Sequence, residues 1–116
     1  MREIKFRGKY ENQWIYGWLW GNKNGQLFID SQNGIGIGWS VDPATVGEYT
    51  GLKDHGGQDI YEEDIILWMG MPLLVSRCTL HAQFIVGNGD LLSKGIAMYS
   101  EVIGNLHDNP ELLPNK

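Results

Sequence analysis

The clearest pattern of hydrophobic and polar positions lies at 13–21, where large aromatic residues occupy every second position. Successive side chains of a β-strand point to opposite sides, so this spacing predicts a strand with all four aromatic residues on one side. These residues are Trp14, Tyr16, Trp18 and Trp20. The reverse side carries Ile15 and Leu19, so neither side is of the kind that usually faces water.

Turn residues and short alternating segments predict strands on both sides of this one. The segment 3–7 alternates charged and apolar residues and predicts a first strand. Asn24-Gly25 predicts a tight turn with positive φ at both positions, which leads into a strand at 27–29. Further strands are predicted at 45–49, 59–61, 65–69, 73–78, 83–86 and 99–106.

The segment 35–39 alternates glycine with bulky residues and follows an Asn33-Gly34 turn signal. A strand of this kind has one bare side, on which a large ring can approach the backbone closely. We therefore expect indole rings of the aromatic strand to lie over Gly36 and Gly38.

Short strands and sixteen glycines predict a mainly β fold. We expect small barrel-like or SH3-like β lobes built from hairpins, in one domain that covers 1–116 with lobes at about 1–50 and 51–116. The segment 88–97 is expected to be a loop or a divergent insertion. Asn109 followed by Pro110 predicts at most one short helical turn near the C-terminus, with Asn109 as its cap.

Charge narrows the classes of function. Nine basic and fourteen acidic residues give a net charge of −5, which disfavours nucleic acid and anionic lipid as partners. The first segment nevertheless gathers Arg2, Lys5, Arg7 and Lys9. We interpret these cations as edge-strand charges that discourage unwanted strand pairing. No export signal or 18-residue apolar segment is seen, so we expect no membrane partner and a cytoplasmic location.

The acidic segment 59–64 is the strongest candidate for a metal or acid–base site, since hard cations bind several oxygen ligands at once. On an extended backbone Glu62 and Glu63 point to opposite sides, and no calcium-loop pattern surrounds them. We therefore interpret the carboxylates as turn and strand-start residues, with Asp54 and Asp59 accepting backbone N–H groups around Gly56-Gly57.

Cys78 and His81 have the spacing of two zinc ligands, but a structural zinc site usually takes four. His55 and His107 could complete such a site only if the fold brought them together. Nothing near Cys78 predicts an activated thiol, so we interpret it as a small buried hydrophobic residue in a reducing cytosol. The sequence predicts no catalytic residue, no metal and no cofactor.

The four aromatic residues of 13–21 are compatible with two functions. Rings on a β-surface stack nucleic-acid bases at about 1–3 kcal/mol each, in sites that are normally lined with cations as well. Few cations flank this strand directly, so we favour one side in the core and the other against a second subunit. Single-stranded nucleic-acid binding through the same rings stays open as the alternative.

Three stretches of the chain are long, ordered motif strings: REIKFRGK at 2–9, VDPATVGEYTGLKDHGGQDIYEEDI at 41–65 and EVIGNLHDNPELL at 101–113. With these strings the chain resembles the YopX family of small proteins from bacteriophages and prophages of Gram-positive bacteria, whose biochemical role is not established. The resemblance implies a small, mainly β and oligomeric protein in a bacterial host cell. It supplies no catalytic residue.

The family-like positions are mostly glycines, turn formers and strand starters, which is typical of a scaffold signature. They are Thr50, Gly51, Asp54, Gly57, Tyr61, Asp64, Gly104 and Asn105. Matching proteins carry a glycine where this chain has Glu63, and we take this as a prediction that the position does not need a positive φ.

These observations together predict a non-enzymatic phage or prophage accessory protein, a self-associating β-rich binding or structural module. Its partners would be further copies of itself, forming a homo-oligomer, or a phage or host protein. The subunit interface would use Trp14, Tyr16, Trp18 and Trp20.

Overall fold

The structure, a computed structural model, describes residues 4–31, 38–78, 83–87 and 89–114. Within these residues the prediction of a mainly β fold is confirmed, with two antiparallel sheets. The chain divides into two compact units, Met1–Tyr49 (unit 1) and Thr50–Lys116 (unit 2). The residues of interest that lie outside the described part are Arg2, Asn33, Gly34, Gly36 and His81.

Unit 1 is an antiparallel sheet built from consecutive hairpins. Its strands are β1 (Phe6–Tyr10), β2 (Gln13–Gly21), β3 (Leu27–Asp30), β4 (Gly38–Val41) and the beginning of β5 (Gly47–Lys53). They lie in the order β4-β3-β2-β1-β5, and a short 3₁₀ turn, Pro43–Thr45, precedes β5. In the first hairpin Lys9 faces Trp14 and Arg7 faces Tyr16. These cations therefore lie on the same side of the sheet as the aromatic residues of β2.

The other side of this sheet holds the core of unit 1. Ile29 and Val41 are buried there, and a Cβ atom added to Gly8 would lie 3.0 Å from Cβ of Val41. The N–H of Asp42, just after β4, donates to the carbonyl of Lys9 in β1 at 2.8 Å. This contact shows that the sheet curls and brings the end of β4 close to β1. The described parts of β4 and β1 form no ladder, so the curled sheet does not close into the expected barrel.

Unit 2 begins with a hairpin between the end of β5 and β6 (Asp59–Tyr61). A five-stranded antiparallel sheet of order β10-β9-β8-β7-β11 follows. Its strands are β7 (Asp64–Trp68), β8 (Met71–Cys78), β9 (Gln83–Val86), β10 (Asp90–Leu91) and β11 (Ser100–Asn105).

The core of unit 2 is one cluster of buried aliphatic side chains. Its members are Ile60, Ile66, Val75, Val86, Leu92 and Ala97. Full burial of a side chain the size of valine or isoleucine contributes about 1.5–3 kcal/mol, so this cluster supplies much of the driving force for folding of the unit.

The segment 88–97, expected to be a loop, contains β10 and most of a helix, α1 (Lys94–Met98). The hydroxyl oxygen of Ser93 accepts from the N–H of Ile96 at 3.1 Å and so caps the helix. Ala97 lies on the buried side of α1 and joins the core. The structure thus adds a short helix and the Pro43–Thr45 turn to the single helical turn that the sequence predicts.

The predicted C-terminal turn is a 3₁₀ turn, Pro110–Leu112, with proline in its first position. The Asn109 side chain does not cap this turn. Its Oδ1 accepts instead from the N–H of Asn105 at 3.3 Å, so the residue ties the turn back to the end of β11.

One hairpin turn differs from the predicted chemistry. At 22–26 the residue with positive φ is Gly25 alone, at 83°, and Oδ1 of Asn22 accepts from two N–H groups of the loop, each at 3.0 Å. A wider loop held by Asn22 thus replaces the predicted tight turn. The β7–β8 hairpin turns through Met69 and Gly70, whose φ angles are 50° and 77°.

Candidate functional site

Strand β2 has the alternation that its sequence predicts. Ile15 and Leu19 lie on the inner side and are partly buried. On the outer side Tyr16, Trp18 and Trp20 are 46%, 59% and 45% exposed. The four outer residues, Trp14, Tyr16, Trp18 and Trp20, are called the aromatic face. Its reverse side is the one that contributes to the core of unit 1.

One end of the aromatic face packs against its own sheet. Trp20 faces Phe28 in β3, and the two rings stack with centroids 4.4 Å apart and 16° between their planes. A Cβ atom added to Gly38 would lie 2.9 Å from Cζ2 of Trp20. The prediction of an indole over Gly38 is confirmed, and the missing side chain is what makes room for the ring.

The other end of the aromatic face is covered by two cations of β1. The guanidinium carbon of Arg7 lies 4.5 Å from the ring centre of Trp14, and Nζ of Lys9 lies 5.3 Å from it. Contacts of this kind contribute about 0.5–2 kcal/mol, more when the cation is desolvated. Arg7 is only 5% exposed, so its charge is not presented to solvent.

A third cation, Lys5, places its Nζ 4.8 Å from the ring centre of Tyr49. Because β1 lies between β2 and β5, the interpretation of its cations as edge-strand charges is wrong. The sequence analysis did not predict that these cations contact rings, although the register of the β1–β2 hairpin indicates it. Pairing 6–10 with 13–17 places the odd-numbered cations opposite the even-numbered aromatic residues.

Tyr16 and Trp18 form the exposed middle of the aromatic face. Trp18 faces Asp30 across the β2–β3 pair, and Asp30 is buried. The face therefore presents neighbouring apolar rings, while the charged residues beside them are buried or contact rings. Binding of a partner that removes such a surface from water lowers the free energy of the system.

Unit 2 is organised differently from the aromatic face: buried polar side chains form hydrogen bonds that fix its backbone. Oδ1 of Asp54 accepts from the N–H groups of Gly56 and Gln58 at 2.9 and 2.8 Å. Its Oδ2 accepts from the N–H of Val102 in β11 at 2.9 Å. One carboxylate thus holds the β5–β6 turn, in which Gly57 has a φ of 86°, and ties it to the second sheet of the unit.

The signature residues around β6 act on neighbouring backbone groups. Oγ1 of Thr50 donates to the carbonyl of Ile60 at 2.7 Å, and the next residue, Gly51, has a φ of 87°. Oδ2 of Asp64 accepts from the N–H of Tyr61 at 2.7 Å, and both of these residues are buried. These contacts fix the corner between β6 and β7.

The signature pair Gly104 and Asn105 lies at the end of β11, after a register shift between Val102 and Gly104. A Cβ atom added to Gly104 would lie 2.6 Å from Oδ1 of Asn109, so no larger residue fits without movement. Oδ1 of Asn105 accepts from two N–H groups of the following turn, at 3.0 and 2.9 Å.

Glu63 has a φ of 71°, so the prediction that this position does not need a positive φ is wrong. Its N–H donates to the carbonyl of Val75 at 2.7 Å, and its carbonyl accepts from the N–H of Leu106 at 2.9 Å. Tertiary hydrogen bonds on both sides therefore impose the left-handed conformation. Its Oε1 lies 2.7 Å from Nε2 of His107, a contact that glycine could not make.

Among the described residues, no group of three or more His, Cys, Asp or Glu side chains is placed to hold a metal ion. The carboxylates of 59–64 act locally: Asp59 forms an ion pair with Lys53, while Asp64 fixes the β6–β7 corner. Asp54 makes the turn contacts that the sequence predicts for it. Cys78 is partly buried at the end of β8, and its possible zinc partner His81 lies outside the described residues.

A family model described as YopX protein matches residues 5–114, so the chain belongs to the YopX family. Among solved structures, the crystal structure of protein EF1440 from Enterococcus faecalis is similar, with a TM-score of 0.67 and 22% sequence identity. The match covers 98% of this chain and 100% of that chain. At this identity the likeness shows the fold alone. No curated protein matches the chain.

Neither the family nor the similar structure indicates a catalytic activity. In the part of the chain that the structure describes, no helix has both the length and the apolar character needed to cross a membrane.

Proposed function

We propose that this protein is a non-enzymatic accessory protein of a bacteriophage or prophage, active in the host cytoplasm, whose aromatic face joins copies of the chain into a homo-oligomer. The observation that carries the proposal is the exposure of Tyr16, Trp18 and Trp20 side by side, at 45–59% each, on a sheet whose reverse side is already packed. Interfaces between protein subunits are enriched in such rings.

The positions of the cations favour a protein partner over nucleic acid. Stacking sites for single strands combine rings with cations that reach the phosphates. Here Arg7 is buried, and Lys9 and Lys5 lie against Trp14 and Tyr49. These cations already contact rings of their own sheet, so the face lacks the outward charge that a phosphate backbone requires.

Charge also favours a second copy as the partner on this face. Residues 1–49 contain five basic and five acidic side chains, whereas 50–116 contain four basic and nine acidic ones. Two copies that meet through unit 1 bring neutral surfaces together, while an encounter through unit 2 opposes two negative charges of five units each. A two-fold contact of the aromatic face with itself is the simplest closed arrangement.

The experiment is multi-angle light scattering at micromolar concentration on the wild type and two single variants. We expect a mass above the 13.1 kDa of one chain for the wild type. Trp18→Ala should raise the dissociation constant about tenfold or more, since rings at the centre of an interface dominate its energy. Tyr99→Ala is the matched control, because Tyr99 is an exposed aromatic residue of unit 2, and we expect it to leave the mass unchanged.

A wild-type protein that stays monomeric throughout this concentration range would contradict the proposal. Titration with a single-stranded oligonucleotide separates the alternative function. Fluorescence quenching that requires Trp18 and weakens with salt would assign the face to nucleic acid instead.

A further inference from the structure

In the described part of unit 2, the first residues of β8 have a neighbouring strand on one side only. The first half of β8 pairs with β7, from Met71 opposite Trp68 to Leu74 opposite Ile65. The second half pairs with β9, from Val75 onward. The N–H of Gly87 still donates to the carbonyl of Leu74 at 3.1 Å, and there β9 ends. Among the described strands, none lies beside 71–73 on this side.

A groove of about 540 Å³ occupies this position. Its lining comes from the β7–β8 hairpin, the β9–β10 turn and the C-terminal segment, and it is mostly apolar. The lining includes the apolar residues Trp68, Met71, Leu73 and Leu113 and the acidic residue Asp90. The volume lies within the range of sites that enclose a small ligand or a few side chains of a peptide.

Asp90 is the charged residue of this lining. It is exposed, and within the described part of the chain its carboxylate makes no hydrogen bond or ion pair. The surrounding unit carries nine acidic and four basic side chains and therefore has a net charge of −5. An occupant with a positive charge beside its apolar groups therefore matches the groove.

We propose that this groove binds an extended segment of another protein that alternates apolar and basic residues. Apolar side chains would enter between Trp68, Met71 and Leu113, and a basic side chain would reach Asp90. Pro72 has no N–H group to offer to an added strand, so side-chain burial rather than a full ladder of hydrogen bonds provides the affinity. A second copy of this acidic unit is disfavoured as the occupant by its charge.

The test uses the full chain labelled with 5-fluorotryptophan, in which Trp68→Phe identifies the fluorine signal of Trp68. Trp68 is the tryptophan of unit 2 and lines the groove, so it reports on the site directly. The probes are two capped peptides of about six residues, roughly 20 Å when extended. One alternates leucine with lysine and the other leucine with glutamate. We expect only the lysine peptide to shift the Trp68 signal.

Matched variants locate the binding. Met71→Ser removes an apolar contact without adding charge and should raise the dissociation constant of the lysine peptide about tenfold. Met69→Ser, two residues away at the exposed hairpin tip, should leave it unchanged. Leu113→Ser repeats the test from the opposite wall if Met71→Ser fails to fold. Asp90→Asn should weaken the lysine peptide about two- to fivefold, and Glu101→Gln, at the exposed position of β11, should not.

Three results would overturn the proposal. The first is a Trp68 signal that neither peptide moves. The second is an equal shift with both peptides or an unchanged affinity in Asp90→Asn, which would remove the basic character of the ligand. The third is binding that Met69→Ser weakens as much as Met71→Ser, which would place the site at the hairpin tip.

Discussion

Units 1 and 2 are both antiparallel sheets, but different interactions organise them. Unit 1 stacks cations and rings on one side of its sheet and has no net charge, whereas unit 2 fixes its turns with buried carboxylates and amides and carries the whole charge of −5. All eight signature residues lie in unit 2. Turn geometry demands particular side chains, while an interaction surface demands mainly size and apolarity. The motif strings therefore identify the scaffold more directly than they identify a binding surface.

The largest effect we expect comes from the backbone-fixing network of unit 2. Asp54→Ala removes three hydrogen bonds to backbone N–H groups and leaves those donors without an acceptor. The free energy of unfolding should fall by about 3–5 kcal/mol. Urea unfolding followed by circular dichroism measures the change. Asp54→Asn keeps one carbonyl oxygen and should lose about half as much, and an alanine variant within about 1 kcal/mol of wild type would contradict this account.

Local sequence patterns were sufficient for much of the fold. The bounds predicted for β2, β6 and β9 agree with the structure. In β2 the alternation is unbroken, and β6 follows turn residues that act on their own neighbours, as Asp54 does. Helix α1 was missed because it has only five residues and contains Gly95. Its signal, a serine followed three residues later by the apolar Ile96, is short and was outweighed by the glycine.

The features that could not be predicted depend on contacts between distant residues. The cations of β1 lie over Trp14 and Tyr49 only because β2 and β5 pair with β1 on its two sides. The positive φ of Glu63 is imposed by hydrogen bonds with Val75 and Leu106, which lie on other strands or turns. Residue identity alone suggested the opposite, because glutamate rarely adopts this conformation.

The second effect tests whether unit 1 is organised by its rings. Trp20→Ala loses the stack on Phe28 and uncovers Gly38, so we expect a loss of about 1–3 kcal/mol in the free energy of unfolding. Trp18→Ala removes a more exposed ring and should cost less than about 1 kcal/mol. Urea unfolding of the two variants gives the comparison. Equal losses would mean that Trp18 is a packing residue, and would weaken its assignment to an interface.

A third, smaller effect isolates the strain at Glu63. Glu63→Gly and Glu63→Ala both lose the contact with His107, but only glycine relaxes the left-handed backbone. We therefore expect the glycine variant to be more stable than the alanine variant by about 1 kcal/mol. Thermal or urea unfolding of the pair measures the difference. Equal stability would show that the backbone changes conformation when the side chain is shortened.

The smallest effect concerns the charge difference between the units. Raising the ionic strength from about 0.01 to 0.1 M shortens the Debye length from about 30 to 10 Å, which screens the repulsion between the acidic units of two copies. If copies join through the neutral unit 1, self-association should strengthen about two- to threefold over this range, as measured by light scattering. Trp18→Ala should associate about tenfold more weakly at each ionic strength but strengthen by a similar factor over this range, because the substitution leaves the charges of both units unchanged.

The sign of this salt effect also separates the two functions of the aromatic face. Binding to a nucleic-acid backbone releases counterions and always weakens as salt increases. Association of two chains of like net charge through an apolar surface strengthens instead, since the long-range repulsion falls while the burial of rings is unchanged. A self-association that weakens with salt would place charged groups in the contact and exclude the neutral ring surface as its main component.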